Sequence, residues 1–225
     1  MEPSTRGQLQ RQALIADIVR EARIQLEAGG PNAISLRGVA RAVGMSAPSL
    51  YTYFPSLAHL YTELISQSYR ELAKTIEDTL RRNRTASVEV RLLAGPRAYR
   101  RWAVAHREQF NLIFFDQING YQAPTDGPTV AAQTLALRPI AESYATARNR
   151  SIDELSTDGE LLDEFLGWWG AFHGLVALEV NHHLDWRQPN RIFERHLTAS
   201  VARILEQVRA PTPKTNPNRK KREEL

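Results

Sequence analysis

An all-α fold is predicted, with a small amino-terminal helical head and a larger helical body. Three observations carry this expectation. Apolar residues recur three and four apart from Ile15 onward, no segment alternates apolar and polar residues as a half-buried strand would, and Gly/Pro stops separate the periodic runs. The 225 residues are 42% hydrophobic, enough to fill a core. Without cysteine there is no disulfide, no thiolate chemistry and no zinc-finger site. No apolar run is long enough for a membrane span and no charged-then-apolar leader opens the chain, so a cytoplasmic protein is expected. The net charge of +4 is concentrated in a tail from Pro211 to Leu225 rich in Pro, Asn and Lys. Without that tail the chain holds 24 basic and 23 acidic residues, so any nucleic-acid argument rests on local placement. The tail itself is expected to be disordered.

Taken in order, residues 1 to about 7 read as a loose arm, with Arg6 and Arg11 placed to touch a phosphate or the minor groove. The first helix carries Ile15, Ile18, Val19, Ala22 and Leu26 in one stripe and stops at Gly29-Gly30-Pro31. Ser35 is a good cap for a second helix, whose buried face is Leu36, Val39, Ala40 and Val43. Gly44 suits the left-handed turn that ends it. Ser46 caps a third helix with Pro48 in its first turn, and Leu50 and Phe54 form its stripe. Ala40 is small where these two helices would cross. This is the spacing of a helix-turn-helix, with Ala47, Pro48, Ser49, Tyr51, Thr52 and Tyr53 turned outward to a major groove.

From Ser56 a long helix is predicted to about Arg84, carrying Leu60, Leu64, Tyr69, Leu72, Ile76 and Leu80, with Arg81 to Thr85 as a charged loop. Gly95-Pro96 predicts a break or kink, and Pro139 a second kink in a helix from Val130 to about Arg148. Phe110, Ile113, Phe114 and Phe115 mark a short helix between them. Ser151 to Asp158 reads as a polar connection. Two strongly apolar helices follow, one from Leu161 to Val180 and one from about Arg191 to Val208. A helix apolar on nearly every side has two partners to satisfy. Pairing of both helices with a second copy predicts a homodimer interface of Leu161, Phe165, Trp168, Leu175, Phe193, Leu197, Val201 and Ile204.

Residues from about Gln8 to Ile65 resemble the DNA-binding domain of the TetR family of transcriptional regulators. The matching residues are Ile34-Ser35-Leu36, Val39-Ala40, Val43-Gly44-Met45-Ser46 and Leu50-Tyr51-x-Tyr53-Phe54-Pro55-Ser56. One position departs: Leu57 stands where the family usually has a phosphate-reaching lysine. Trp169-x-x-x-His173-Gly174 resembles the Trp-x-x-x-His-Gly motif of one group of TetR carboxy-terminal domains. The resemblance implies a DNA-binding unit at 1–56, a ligand-binding and dimerisation unit at 57–209 and a basic tail at 210–225. It implies operator contacts from Arg6, Ser35, Arg37, Ser46, Ala47, Pro48, Ser49, Tyr51, Thr52, Tyr53 and Ser56, with the tyrosines on phosphates. It also implies a pocket for a small apolar or aromatic effector lined by Trp102, Phe110, Phe114, Trp169, Phe172, His173 and Val176. The expected function is a homodimeric repressor released from a near-palindromic double-stranded operator by that effector. The alternatives are a helical small-molecule binder or enzyme with a non-functional head, and an activator. A histidine bonded to a backbone carbonyl is the plainer expectation for His173. His182 and His183, being adjacent, share no helix face, and the remaining histidines lack metal spacing. No nucleophile elbow or phosphate-cradling loop is present, so no enzyme, metal or cofactor is expected.

Overall fold

The computed structural model describes residues 6–115, 118 and 120–209. Every regular element among them is helical: α1 (Arg6–Gly29), α2 (Leu36–Ala42), α3 (Ala47–Tyr51), α4 (Leu57–Arg82), α5 (Val88–Ala105), α6 (Arg107–Phe114), α7 (Pro128–Ala147), α8 (Ile152–Thr157), α9 (Gly159–Val180) and α10 (Pro189–Arg209). None of them is long and apolar enough to cross a membrane. The tail from 210 onward and the first five residues lie outside the described part.

In the head, α1, α2 and α3 close over Ile18, Val19, Ala22, Leu26, Val39, Ala40 and Leu50, all but inaccessible to solvent. The starts of α2, α3 and α4 are each made by a serine. Ser35 Oγ accepts the Gly38 N–H at 3.1 Å, Ser46 Oγ that of Ser49 at 3.2 Å, and Ser56 Oγ that of His59 at 3.4 Å. Gly44 takes φ 72°. The two backbone bonds that finish α2, Met45 N–H to the Ala40 carbonyl and Gly44 N–H to that of Arg41, require this left-handed residue.

The body packs α4 against α7 and α5, and α5 in turn against α9 and α10. Gly95-Pro96 does not break the chain; α5 runs through both. Gly95 is there for approach, since a Cβ on it would lie 3.1 Å from Ile140 Cγ1 of α7. Pro139 likewise sits inside α7, and its carbonyl accepts the Ser143 hydroxyl at 2.9 Å. Three further boundaries differ from expectation. α1 begins at Arg6, so Arg6 belongs to a helix and not to an arm. α4 continues through Arg81 and Arg82, two cations that suit a helix carboxyl end. Ser151 to Asp158 holds α8, started by a reciprocal bond pair between Ser151 and Glu154, a capping box that polarity alone conceals.

Candidate functional site

The face expected to read DNA is carried by α2, α3 and the start of α4. Ser35, Arg37, Ser46, Pro48, Ser49, Tyr51 and Thr52 are exposed there, Ala47, Tyr53 and Ser56 are half-buried, and Arg6 is exposed at the start of α1. Several hydroxyls are already engaged. Ser46 and Ser49 Oγ lie 2.7 Å apart, and Thr52 Oγ1 donates to the Ser49 carbonyl at 2.7 Å. Tyr51, at 46% exposure, is the large polar group that projects freely from α3. Tyr53 packs its ring under the Arg11 guanidinium, 5.1 Å from the centroid.

Two features of this face escaped the motif reading. From Ala28 to Thr62 the sequence has no carboxylate, and Arg37 and Arg41 on α2 are exposed and make no ion pair among the described residues. Such a face attracts a polyanion by simple Coulomb attraction even though the chain is nearly neutral overall. The second is His59. Leu57 is half-buried against the head core, whereas His59, two residues on, is exposed with Nδ1 2.8 Å from Ser56 Oγ. A serine spacing search tied to the absent lysine would not find it.

The head is fastened to α4. Tyr61 donates its hydroxyl to the Pro31 carbonyl at 2.8 Å, and Arg23 of α1 pairs with Glu71 at 2.7 Å. Further along α4, Tyr69 donates to the Ile113 carbonyl of α6 at 2.7 Å and meets Phe114 edge-on at 5.9 Å. Phe114 opens onto the aromatic cluster of the body.

That cluster is centred on His173. Trp169 and Phe115 stack on it at centroid distances of 4.8 and 5.5 Å, and Phe114 and Phe110 lie at 4.9 and 5.7 Å. Its Nδ1 is 2.6 Å from the Tyr99 hydroxyl, a side-chain partner where a backbone carbonyl was expected. Burial pushes Tyr99 well above its usual range, so it stays a phenol, able to share one hydrogen bond with Nδ1. The indole N–H of Trp169 is buried and has no acceptor among the described residues. Tyr99 and Phe115 were not among the predicted pocket residues. Phe172 touches Tyr99 at 5.7 Å, Trp102 stacks instead on His106 at 5.2 Å, and Val176 is fully buried.

Burial also lowers the His173 pKa to about 4. The unfolded chain therefore takes up this proton at higher pH than the folded one, and the histidine's contribution to stability, complete above its unfolded value, is lost as pH falls toward 4. The loss amounts to at most about 3 kcal/mol. Denaturant unfolding of the protein and of His173→Phe at several pH values checks this: the wild type is expected to lose more stability between pH 7 and 4 than the variant. Equal slopes would place the acid sensitivity elsewhere.

The residues expected to face a second copy lie inside the protomer. Leu161, Phe165, Trp168, Phe193, Leu197, Val201 and Ile204 are all buried by the chain's own helices, and Leu175 is half-buried. Trp168, for example, donates to Ser200 Oγ at 3.1 Å and stacks on Tyr144 at 5.4 Å. These side chains are the body's core because α9 must cover α5, α7 and α10 at once.

Comparison with known proteins bears on both halves of the chain. Residues 18–64 match the family "Bacterial regulatory proteins, tetR family", and residues 92–200 match "Tetracyclin repressor-like, C-terminal domain". The HTH-type transcriptional regulators Rv1816 of Mycobacterium tuberculosis and Mb1846 of Mycobacterium bovis are each 29% identical over 191 residues, covering 76% of this chain and 82% of theirs. Among solved structures, the regulatory protein SCO4313 is 27% identical with a TM-score of 0.73, over 90% of this chain and all of that one. A TetR-family regulator from Streptomyces coelicolor shares the fold at 16% identity, TM-score 0.64, over 92% of both chains. These relatives are transcriptional regulators and not enzymes, and their likeness spans the helix-turn-helix as well as the body. The chain belongs to the TetR family of transcriptional regulators.

Proposed function

We propose that the protein is a homodimeric repressor that releases its operator when a small apolar molecule enters the aromatic cluster around His173. One observation carries this reading: α4 is tied to the head through Tyr61 and Arg23 and to the cluster through Tyr69. A ligand that moves Phe114 therefore acts on the helix that sets the position of α3. By linkage, the ligand binds the free form more tightly than the DNA-bound form, and DNA weakens the ligand by the same factor.

The dimer would use the outward faces of α9 and α10. Gly167, Gly170 and Gly174 have open space where a Cβ would stand, Ala171 is exposed, and Leu178 is 42% exposed. On α10, Ala199 and Ala202 are exposed. Small residues of this kind let two helices approach closely. Charge supports a two-fold axis across the helices. Glu160 and Asp163 stand at the start of α9, and Arg191 and Arg195 at the start of α10; since α9 and α10 form a hairpin, these are opposite ends of one face. An antiparallel second copy brings each acidic end over a basic one, and a parallel copy opposes like charges.

In the head, Tyr51 and His59 would hold phosphates, His59 standing in for the missing lysine, while Ala47 and Pro48 offer apolar contact to thymine methyls. Fluorescence anisotropy with duplex from upstream of the protein's own gene tests the reading. Tyr51→Ala and His59→Ala are each expected to weaken binding about tenfold, and Arg37→Ala is expected to flatten its salt dependence. Unchanged affinity in the first two and an unchanged slope in the third would take DNA binding away from this face.

A further inference from the structure

The carboxyl-terminal half of α4, the start of α5 and the middle of α7 enclose a groove of about 540 Å³ that the regulator reading leaves unused. Four guanidiniums line it: Arg81 and Arg84 at the end of α4 and the turn after it, Arg91 on α5, and Arg138 on α7. Two carboxylates line it as well, Glu77 and Glu142. Arg138 is bound to Glu142 at 2.7 Å, and Arg81 to Asp78 at 2.6 Å. Arg84 and Arg91 make no side-chain hydrogen bond or ion pair to any described residue, and Nε of Arg91 is closed off from solvent without an acceptor.

This is unusual within the same body. The other arginines that leave water there have acceptors: Arg100 holds Glu179, and Arg148 holds Glu164 at 2.6 Å. The helix dipole explains cations at the end of α4, but it disfavours Arg91 at the amino end of α5. An acceptor in the groove meets the terminal nitrogens of Arg91, which are not closed off and hold no described partner. Besides Ser143, whose hydroxyl is spent on the Pro139 carbonyl, the remaining wall is apolar: Leu80, Pro139 and Leu135, the last 50% exposed.

We propose that this groove binds a small amphiphilic anion, its carboxylate or phosphate head on Arg84 and Arg91 and its hydrocarbon part on Leu80, Leu135 and Pro139. Guanidinium forks accept either head in paired hydrogen bonds, and the apolar wall selects for an attached chain. The site is separate from the His173 cluster. It touches α4, the helix that carries the head, at the end remote from the head.

Calorimetric titration of the full chain with octanoate, octyl phosphate, octan-1-ol and inorganic phosphate decides it. At least one octyl anion is expected to bind below about 1 mM, and the tighter of the two identifies the head group. Octanol and inorganic phosphate are expected to bind at least about tenfold more weakly. Arg84→Ala/Arg91→Ala should weaken the octyl anion at least about tenfold, whereas Trp169→Leu should leave it unchanged. Arg84→Gln, at an exposed position, should give a smaller loss in the same direction without touching the fold. The proposal is overturned if neither octyl anion binds, if octanol or inorganic phosphate binds as tightly, or if binding follows Trp169 and ignores the two arginines.

Discussion

Ala171→Arg is expected to convert the protein to monomers and to lower operator affinity by a factor of about 100 or more. The position faces solvent in the middle of α9, between Gly167, Gly170 and Gly174, so a guanidinium there harms nothing within the protomer. Across a two-fold axis it would meet its own copy in a space sized for an alanine, and two like charges would be buried together. Each head alone has only one half-site to hold. Sedimentation and operator titration together check the result. A dimer that persists in the variant, with full operator affinity, would move the interface off this face. The arrangement of charges makes a second demand: Asp163→Lys should weaken the dimer, and Asp163→Lys with Arg191→Glu should restore part of it.

Glu179→Ala is expected to cost about 3–5 kcal/mol of stability, the range for stranding one member of a buried ion pair. Arg100 reaches both carboxylate oxygens of Glu179, at 2.7 and 2.5 Å, with the two side chains only 19% and 10% exposed. The same guanidinium lies 5.5 Å from the Phe193 ring centroid, so it joins α5, α9 and α10 at one point. Removing the carboxylate leaves that charge where water reaches it poorly. Replacing both partners, Arg100→Met with Glu179→Leu, should recover most of the loss, because no unpaired charge remains. Urea unfolding midpoints of the three proteins measure this; a double variant no better than Glu179→Ala would mean the pair is not what fails.

The head was legible in the sequence because its cues are local. Ser35, Ser46 and Ser56 cap helices wherever the neighbouring periodicity places them, and Gly44 permits a turn that other residues resist. The body was harder, since its apolar residues identify helices without saying which neighbour each one meets. Trp168, Phe193 and Leu197 carry the same signal whether they bury against their own chain or a second copy, and the structure turns them inward. Gly95-Pro96 is ambiguous for a related reason: Pro96 would break or kink an isolated helix, yet α5 runs through it where Gly95 lies close against Ile140 of α7. The Tyr99–His173 bond joins residues 74 apart, and no spacing rule links them. Leu57 drew attention in the sequence to a missing lysine, while His59 went unnoticed beside it because an exposed histidine has no pattern of its own.

Selection from a random duplex pool with the full chain tests whether a pair of heads reads two half-sites. The selected sequences should share a near-palindrome whose half-sites lie on one face of the duplex, about one helical turn or a multiple apart, with affinity falling steeply as salt rises. Enrichment of a single half-site, or of no sequence at all, would contradict it.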